Sequence, residues 1–443
     1  MLKREDILLR GGLVVTMNQQ GEVFRGDILI KNGRIAEIGK VSAGKARVID
    51  CHHYLLLPGF VQTHVHLCQT LFRGQADDLT LLDWLQKRIW PMEGALDPAA
   101  MRISARLGIA ELIKSGTTTI LDMGSVRYYD VIFEEVEHAG LRVIGGKCMM
   151  DHPETTPKSL LESTRESLEE TERLAKRWHG REDGRILYAV SPRFAVSCTR
   201  ELMEQAAHLA RENGYHLHTH ASENRDEIAL IEKREKVSNI HFLHYSGFTG
   251  EDVTLAHCIW LGGMEKQVIV ETNTAVAHCP SSNLKLASGI APLLDYLARG
   301  VRVGLGADGA ACNNNLDIFQ EMRLAALIHK PRYGADAIKA EKVVRMATID
   351  GARALNLDHE IGSIEVGKRA DIIGIQDLAV HSQPRHNVYG QLVYATSGRD
   401  VMLTIVDGRI LMDNRELIPI DEEATVQTAR DELKKVILKL TQK

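Results

Sequence analysis

The sequence holds 19 histidines, and several stand where two or more can face one point. In Pro58-Gly59-Phe60-Val61-Gln62-Thr63-His64-Val65-His66 two histidines lie two apart in a strand-like run. Positions i and i+2 of a strand share a face, so His64 and His66 offer two imidazoles to one centre. The bland alternative is two unrelated histidines at a strand end; the preceding Pro-Gly and strand favour ligation. In His216-Leu217-His218-Thr219-His220 three histidines alternate onto one face. His220, nearest the strand end, is the candidate ligand. His218 lies deeper, as packing or as support for a ligand, with ligation itself as the alternative. Glu223 follows the strand and is placed to shuttle a proton; its other reading is a carboxylate at a helix N-terminus.

Two more apolar runs end in histidine, at His257 and at His278. His257 is the better candidate to polarise a substrate or a bound oxygen, and His278 is either a supporting or a structural residue. Cys258 and Cys279 point to the alternate face and read as small buried apolar groups. The run Val303-Gly304-Leu305-Gly306-Ala307-Asp308-Gly309 ends in a lone carboxylate. Asp308 can ligate a metal and accept a proton from activated water. An Asp before Gly is often a turn residue, but a turn leaves the other residues of the set unexplained.

These groups need strands to aim them, and the pattern supplies strands. From Thr118 to Leu305 apolar runs alternate with helical stretches: strands over Thr118 to Leu121, Val143 to Cys148, Ile186 to Val190, Val253 to His257, Val276 to Cys279 and Val301 to Leu305. Met101 to Ser115, Leu160 to Trp178 and Arg200 to Asn213 carry helical periodicity. Such alternation predicts a parallel α/β architecture, here a (β/α)8 barrel, which sets active residues at the carboxyl ends of its strands. Residues 58–361 are assigned to it. Residues 1–57 read as β, with Ile7 to Gly12 a strand running into a turn and an Asn32-Gly33 hairpin after it. A matching block, residues 362–420, holds a strand from Ala370 to Ile375 and an Asp407-Gly408 hairpin. The two blocks are expected to pair as one small β-sandwich, with residues 421–443 an outer helix running to Gln442.

Bulk composition excludes several classes. The chain has 443 residues, 44% hydrophobic and 26% charged, which suits a globular fold of one large and one smaller domain. A net charge of -5 offers no basic field for nucleic acid and no polybasic membrane patch. The charged start, Met1-Leu2-Lys3-Arg4-Glu5-Asp6, leads into no apolar signal core, and no run approaches the roughly 18 apolar residues of a membrane helix. The 7 cysteines stand singly, without CxxC spacing, as expected of a cytoplasmic protein.

A strand-end HxH, a His with Glu three residues on, a His and an Asp, in that order, resemble the amidohydrolase superfamily. Gly362-Ser363-Ile364-Glu365-Val366-Gly367-Lys368 resembles the segment by which those proteins return to their β-sandwich. The resemblance implies metal ligands His64, His66, His220 and Asp308, with Glu223, His257 and Asp308 catalytic. Two-metal relatives place a lysine on a middle strand; Ile186 to Ser191 has none, which favours one divalent metal, zinc, with Fe2+ as the alternative. Pro192-Arg193-Phe194 and Ser222-Glu223-Asn224-Arg225-Asp226-Glu227 look like guanine deaminase, as does Gln69. There the matching Gln reads the ring edge, Arg donates to the carbonyl and Phe packs on the π-face. Arg73-Gly74-Gln75-Ala76-Asp77-Asp78, Trp90-Pro91-Met92-Glu93 and Asp308-Gly309-Ala310-Ala311-Cys312-Asn313 instead resemble methylthioadenosine/S-adenosylhomocysteine deaminases and triazine hydrolases. Glu93 matches a position that grips ribose there. Trp84 and Trp90 read either as covers over the ring or as core.

The leading expectation is hydrolysis of guanine to xanthine and ammonia by a metal-dependent deaminase. The alternatives are an adenosine-type nucleoside or a triazine. A non-catalytic assembly protein on a degraded barrel is disfavoured because no ligand is missing. The expected partner is a small purine-like molecule, with a homodimer expected from base rates.

Overall fold

A computed structural model describes residues 4–441. Met1, Leu2, Lys3 and Gln442, together with Lys443, lie outside the described residues. A parallel ten-stranded sheet holds eight barrel strands and two short two-residue pieces, Cys148–Met149 and Asp308–Gly309. The barrel strands are Phe60–His66, Thr117–Met123, Arg142–Gly146, Ile186–Pro192, His216–Ala221, Val253–His257, Ala275–His278 and Val303–Leu305. The fourth pairs with the fifth through Ala189 and His216, and the eighth with the first through Leu305 and Gln62, so the sheet closes on itself. Thr117–Met123 and Phe60–His66 are buried at every position, as strands enclosed on both faces must be.

Capping residues set the helix starts. Asp97 accepts from the Ala100 N–H ahead of Pro98–Lys114, and Thr199 accepts from the Leu202 N–H ahead of Arg200–Asn213. The helix expected from Leu160 begins instead at Thr164. Ser163 and Glu166 form a reciprocal capping box that fixes the start there. The eighth strand starts at Val303 rather than Val301.

The strands from the two termini join in one nine-stranded sheet. Tyr54–Pro58 is the junction: it runs parallel to Leu13–Val14 on one side and antiparallel to Ile372–Gln376 on the other. The turn expected at Gly11-Gly12 is a bulge inside one strand, Ile7–Val15. Gly11 takes a positive φ of 75° and donates its N–H to Asp27 Oδ1, so the strand continues past the irregularity. Both hairpin turns form as expected, and their tips touch. A Cβ on Gly408 would lie 2.6 Å from Gly33 Cα, so the contact requires glycine on both sides. The last helix, Glu422–Thr441, packs outside the barrel, with Lys439 bonded to Asp97 at 2.7 Å.

Sheet and barrel are tied by a buried ion pair. Arg142, opening the third barrel strand, makes two bonds of 2.8 and 3.0 Å to Asp371, which also accepts from the Asp407 N–H. Truncating one partner strands the other charge without solvent. Asp371→Ala is expected to cost about 3–5 kcal/mol in urea unfolding. A loss below about 1 kcal/mol, the range of exposed pairs, would contradict this.

Candidate metal centre and active site

The first, fifth and eighth barrel strands bring His64, His66, His220 and Asp308 to one point, with their ligand atoms all within 4.8 Å of one another. His64 and His66 share a strand face, as the HxH spacing requires. Asp308 reaches them because Asp308–Gly309 pairs with Val65–His66 beyond the end of the eighth strand. His64 Nε2 and His66 Nε2 each lie 3.3 Å from Asp308 Oδ1, and His66 Nε2 lies 3.2 Å from His220 Nε2. Gly306 makes room: a Cβ there would sit 2.7 Å from the His64 carbonyl oxygen.

The opposite ring nitrogens decide what these atoms can do. His66 Nδ1 donates to the Met123 carbonyl at 2.7 Å, and His220 Nδ1 to the Arg193 carbonyl at 2.6 Å. His218 Nδ1 donates to the Thr254 carbonyl at 2.8 Å, so its Nε2 must accept, and it accepts from His64 Nδ1 at 2.8 Å. Each Nδ1 therefore carries the proton, and the three Nε2 atoms are bare. Burial pushes His66 down to about 3 and His220 well below the usual imidazole range, so both rings stay neutral. Three bare nitrogens and a carboxylate converging without a proton among them form a donor set that fits a divalent cation. His64 Nε2 is buried and has no hydrogen-bond partner in the protein.

Glu223 and His257 stand beside this centre, with Glu223 Oε2 3.5 Å and Asp308 Oδ2 3.8 Å from His257 Nε2. Burial pushes the Glu223 carboxyl up and favours its protonated form. Burial opposes charge on His257, but Glu223 and Asp308 outweigh it and raise its affinity for a proton. Asn224, not Glu223, caps the following helix Arg225–Glu235, which leaves Glu223 free to face the site. Buried Glu227 accepts from the Glu223 N–H and fixes its backbone. The backbone is strained here: Ser222, His257, Cys258 and Asp308 have φ of 48°, 70°, 48° and 63°. Such values cost non-glycine residues roughly 1–3 kcal/mol each and cluster at functional sites.

A pocket opens above the centre. Its floor holds His66, His220, Glu223, His257 and Asp308; Arg193 and Phe194 form a wall, and Leu81, Trp84, Leu85 and Leu286 the apolar roof. Trp84 and Leu85 meet at an α-to-π helix junction, Leu85–Ile89. Among the sequence candidates, Trp84, Arg193 and Phe194 line the cavity. Gln69, Trp90 and Glu93 stand behind the wall: Arg193 makes bonds of 2.8 and 3.2 Å to Glu93, and Gln69 Nε2 donates to the same carboxylate at 2.9 Å. Trp90 packs near Phe194. His278 is buried, with neither ring nitrogen partnered. Sequence reasoning missed Leu81, Leu85 and Leu286, because an apolar roof residue looks like any core leucine. It also missed Ser288, whose hydroxyl donates to Glu223.

The amidohydrolase family profile matches residues 55–411. The chain belongs to the amidohydrolase family and is a hydrolase of carbon–nitrogen bonds. It is 39% identical over 433 residues to the 5'-deoxyadenosine deaminase of Methanosarcina acetivorans, covering 96% of this chain and 97% of that one. It is 41% identical to the 5-methylthioadenosine/S-adenosylhomocysteine deaminase of Thermococcus onnurineus, covering 93% and 95%. Among solved structures, a zinc-bound adenosine deaminase from Xanthomonas campestris superposes with a TM-score of 0.91 at 31% identity, over 99% of this chain and all of that one. Guanine deaminase from E. coli superposes with a TM-score of 0.83 at 31% identity, covering 93% and 99%.

His218→Ala removes the acceptor that fixes the His64 tautomer. Affinity for a divalent ion is expected to fall about 10–100-fold, read by competition with a chelator. Unchanged affinity would show that His218 is packing alone.

Proposed function

We propose that the protein is a hydrolytic deaminase of adenosine-type nucleosides lacking a polar 5' group, with 5'-deoxyadenosine and 5'-methylthioadenosine the best-fitting substrates. The observation that carries this reading is the acid–base set Glu223, His257 and Asp308 around four converging metal donors, under a roof of Leu81, Trp84, Leu85 and Leu286. The named activities of the two curated relatives support the substrate class. Arg193, the cation in the cavity wall, is already paired with Glu93, which disfavours a substrate bearing a further carboxylate such as S-adenosylhomocysteine.

His64, His66, His220 and Asp308 would hold one divalent ion. Zinc is supported by the donor set and by the zinc-bound structural relative, and Fe2+ also suits these donors. Bound there, the ion would make water a nucleophile at neutral pH by lowering its pKa to about 7. Asp308 accepts the proton of the attacking water through its carboxylate. Glu223, whose carboxyl burial pushes up toward its acid form, gives a proton to the ring nitrogen beside the carbon attacked, so negative charge does not accumulate on the ring. His257 Nε2 donates to the new oxygen on that carbon. The proton on Asp308 passes to the departing amine and ammonia leaves, while the remaining hydroxyl proton passes to Glu223, which forms the carbonyl and restores the acid. Phe194 and Trp84 flank the ring, and Glu93 and Gln69 hold Arg193 in the wall.

Guanine, the leading expectation from Gln69, Arg193 and Phe194, is the weaker reading. Arg193 and the amide nitrogen of Gln69 are both engaged by Glu93 rather than presented to a ring edge. Seven unpaired, buried cysteines support a reducing, cytoplasmic setting. Among the described residues, no helix is long and apolar enough to cross a membrane.

The test is ammonia release across 5'-deoxyadenosine, 5'-methylthioadenosine, adenosine, S-adenosylhomocysteine, guanine and a chlorotriazine. The first two are expected to give the highest kcat/KM. A preference for guanine would overturn the substrate reading. Glu223→Gln is expected to retain the metal and lose about 10²–10⁴ in turnover; a fully active variant would remove Glu223 from the chemistry.

A further inference from the structure

The segment after the seventh barrel strand supplies none of the four metal donors and none of the three acid–base groups assigned above. It nevertheless touches every one of those three groups. Ser282 Oγ donates to Asp308 Oδ2 at 2.7 Å. Asn283 Oδ1 accepts from His257 Nδ1 at 2.8 Å. Ser288 Oγ donates to Glu223 Oε1 at 3.0 Å. The three side chains are buried, so each bond forms away from competing water.

The segment is itself held from two sides and braced internally. The Ser281 N–H and hydroxyl bond to buried Glu321, at 3.1 and 2.5 Å, on the helix Ile318–Leu327. Trp260 Nε1 donates to the Ser288 carbonyl at 2.7 Å. The Ser288 N–H returns to the Asn283 carbonyl at 2.9 Å. Gly289 then passes the Trp260 ring, where a Cβ would approach to 2.8 Å. This anchorage exceeds what a surface connection needs.

We propose that Ser282, Asn283 and Ser288 form one positioning element, which sets the geometry of Asp308, His257 and Glu223 together and governs the rate of the chemical step. The inference rests on the acid–base roles assigned above. Asn283 directs His257 Nε2 into the site by occupying Nδ1. Ser288 occupies one oxygen of Glu223 and leaves Oε2, the one nearer His257, to face the substrate. Ser282 does the same for Asp308: it takes one lone pair of Oδ2 and fixes the carboxylate plane, while Oδ1 faces His64 and His66. A rigid shared mount holds three separate groups in the mutual register that a concerted proton relay needs.

The test compares metal-loaded wild type with Ser288→Ala, Asn283→Ala and Asn283→Asp, and with Leu284→Ala, an exposed residue of the same segment, as control. Kinetics are read on whichever substrate of the panel the wild type turns over fastest, so failure of the nucleoside reading leaves this test intact. Melting temperature and metal content are measured beside kcat and KM. Ser288→Ala and Asn283→Ala are expected to lose about ten- to a hundredfold in kcat, with KM within about twofold. Melting temperature and metal content should match wild type. Asn283→Asp, which keeps an acceptor for His257 Nδ1, should recover most of the loss, and Leu284→Ala should be unaffected. The proposal is overturned if kcat stays within about twofold of wild type in both alanine variants. It is equally overturned if kcat falls only in step with lost metal or a lower melting temperature, the mark of a merely structural role.

Discussion

Three imidazoles in this protein are each denied a proton on Nε2 by what their Nδ1 touches. The acceptors are the Met123 carbonyl, the Arg193 carbonyl and the His218 ring, itself fixed by the Thr254 carbonyl. The bare nitrogens face one another and a carboxylate at 3.2–3.3 Å. Without a cation, that arrangement is lone pair against lone pair in a dry interior, and it is costly. The closed barrel imposes it, because Met123 ends the second strand, Arg193 follows the fourth, His218 lies on the fifth beside Thr254 of the sixth, and none moves independently of the ligands. The ligand geometry is therefore a property of strand register, not of four side chains alone.

Strain and support follow from the same constraint. Strand ends must bend sharply to turn His257 and Asp308 inward, and both residues sit at positive φ. The compensation lies in neighbouring bonds: Ser222 to Asn239, Glu227 to the Glu223 N–H, Ser282 to Asp308. Glu227, pushed up to about 7 by burial and by nearby Glu223, is one of several buried acids whose role is to hold backbone. Glu321, also pushed up to about 7 by burial, does this for the segment after the seventh strand. Glu227 and Glu321 thus stand behind the site as hydrogen-bond acceptors, distinct from Glu223 and Asp308, which face it.

Much of this was legible in the sequence. The period-2 placement of His64 and His66, the apolar runs ending at His220 and His257, and the Val303 to Leu305 run before Asp308 identify strand-end groups by spacing alone. Both glycine hairpins were readable because the turn chemistry is local. The misses have physical causes. The Leu160 to Trp178 periodicity overran its start, since a capping box at Ser163 overrides apolar spacing. A bulge at Gly11 resembles a turn until a partner strand is present. Gln69, Arg193 and Glu93 are not misses: each reads singly as a substrate contact, and tertiary structure adds that Glu93 bonds to both Gln69 and Arg193, while Arg193 still lines the pocket. Ser288 carried no signal, because one serine in a loop is indistinguishable from any other until Glu223 is placed beside it.

The claim on which everything rests is that four side chains share one ion. Anomalous diffraction from a crystal of the protein loaded with zinc tests it directly. One strong peak is expected at about 2.0–2.2 Å from His64, His66 and His220 Nε2 and from an Asp308 oxygen. A peak bound by other residues, or none at this point in protein that turns over substrate, would contradict the assignment.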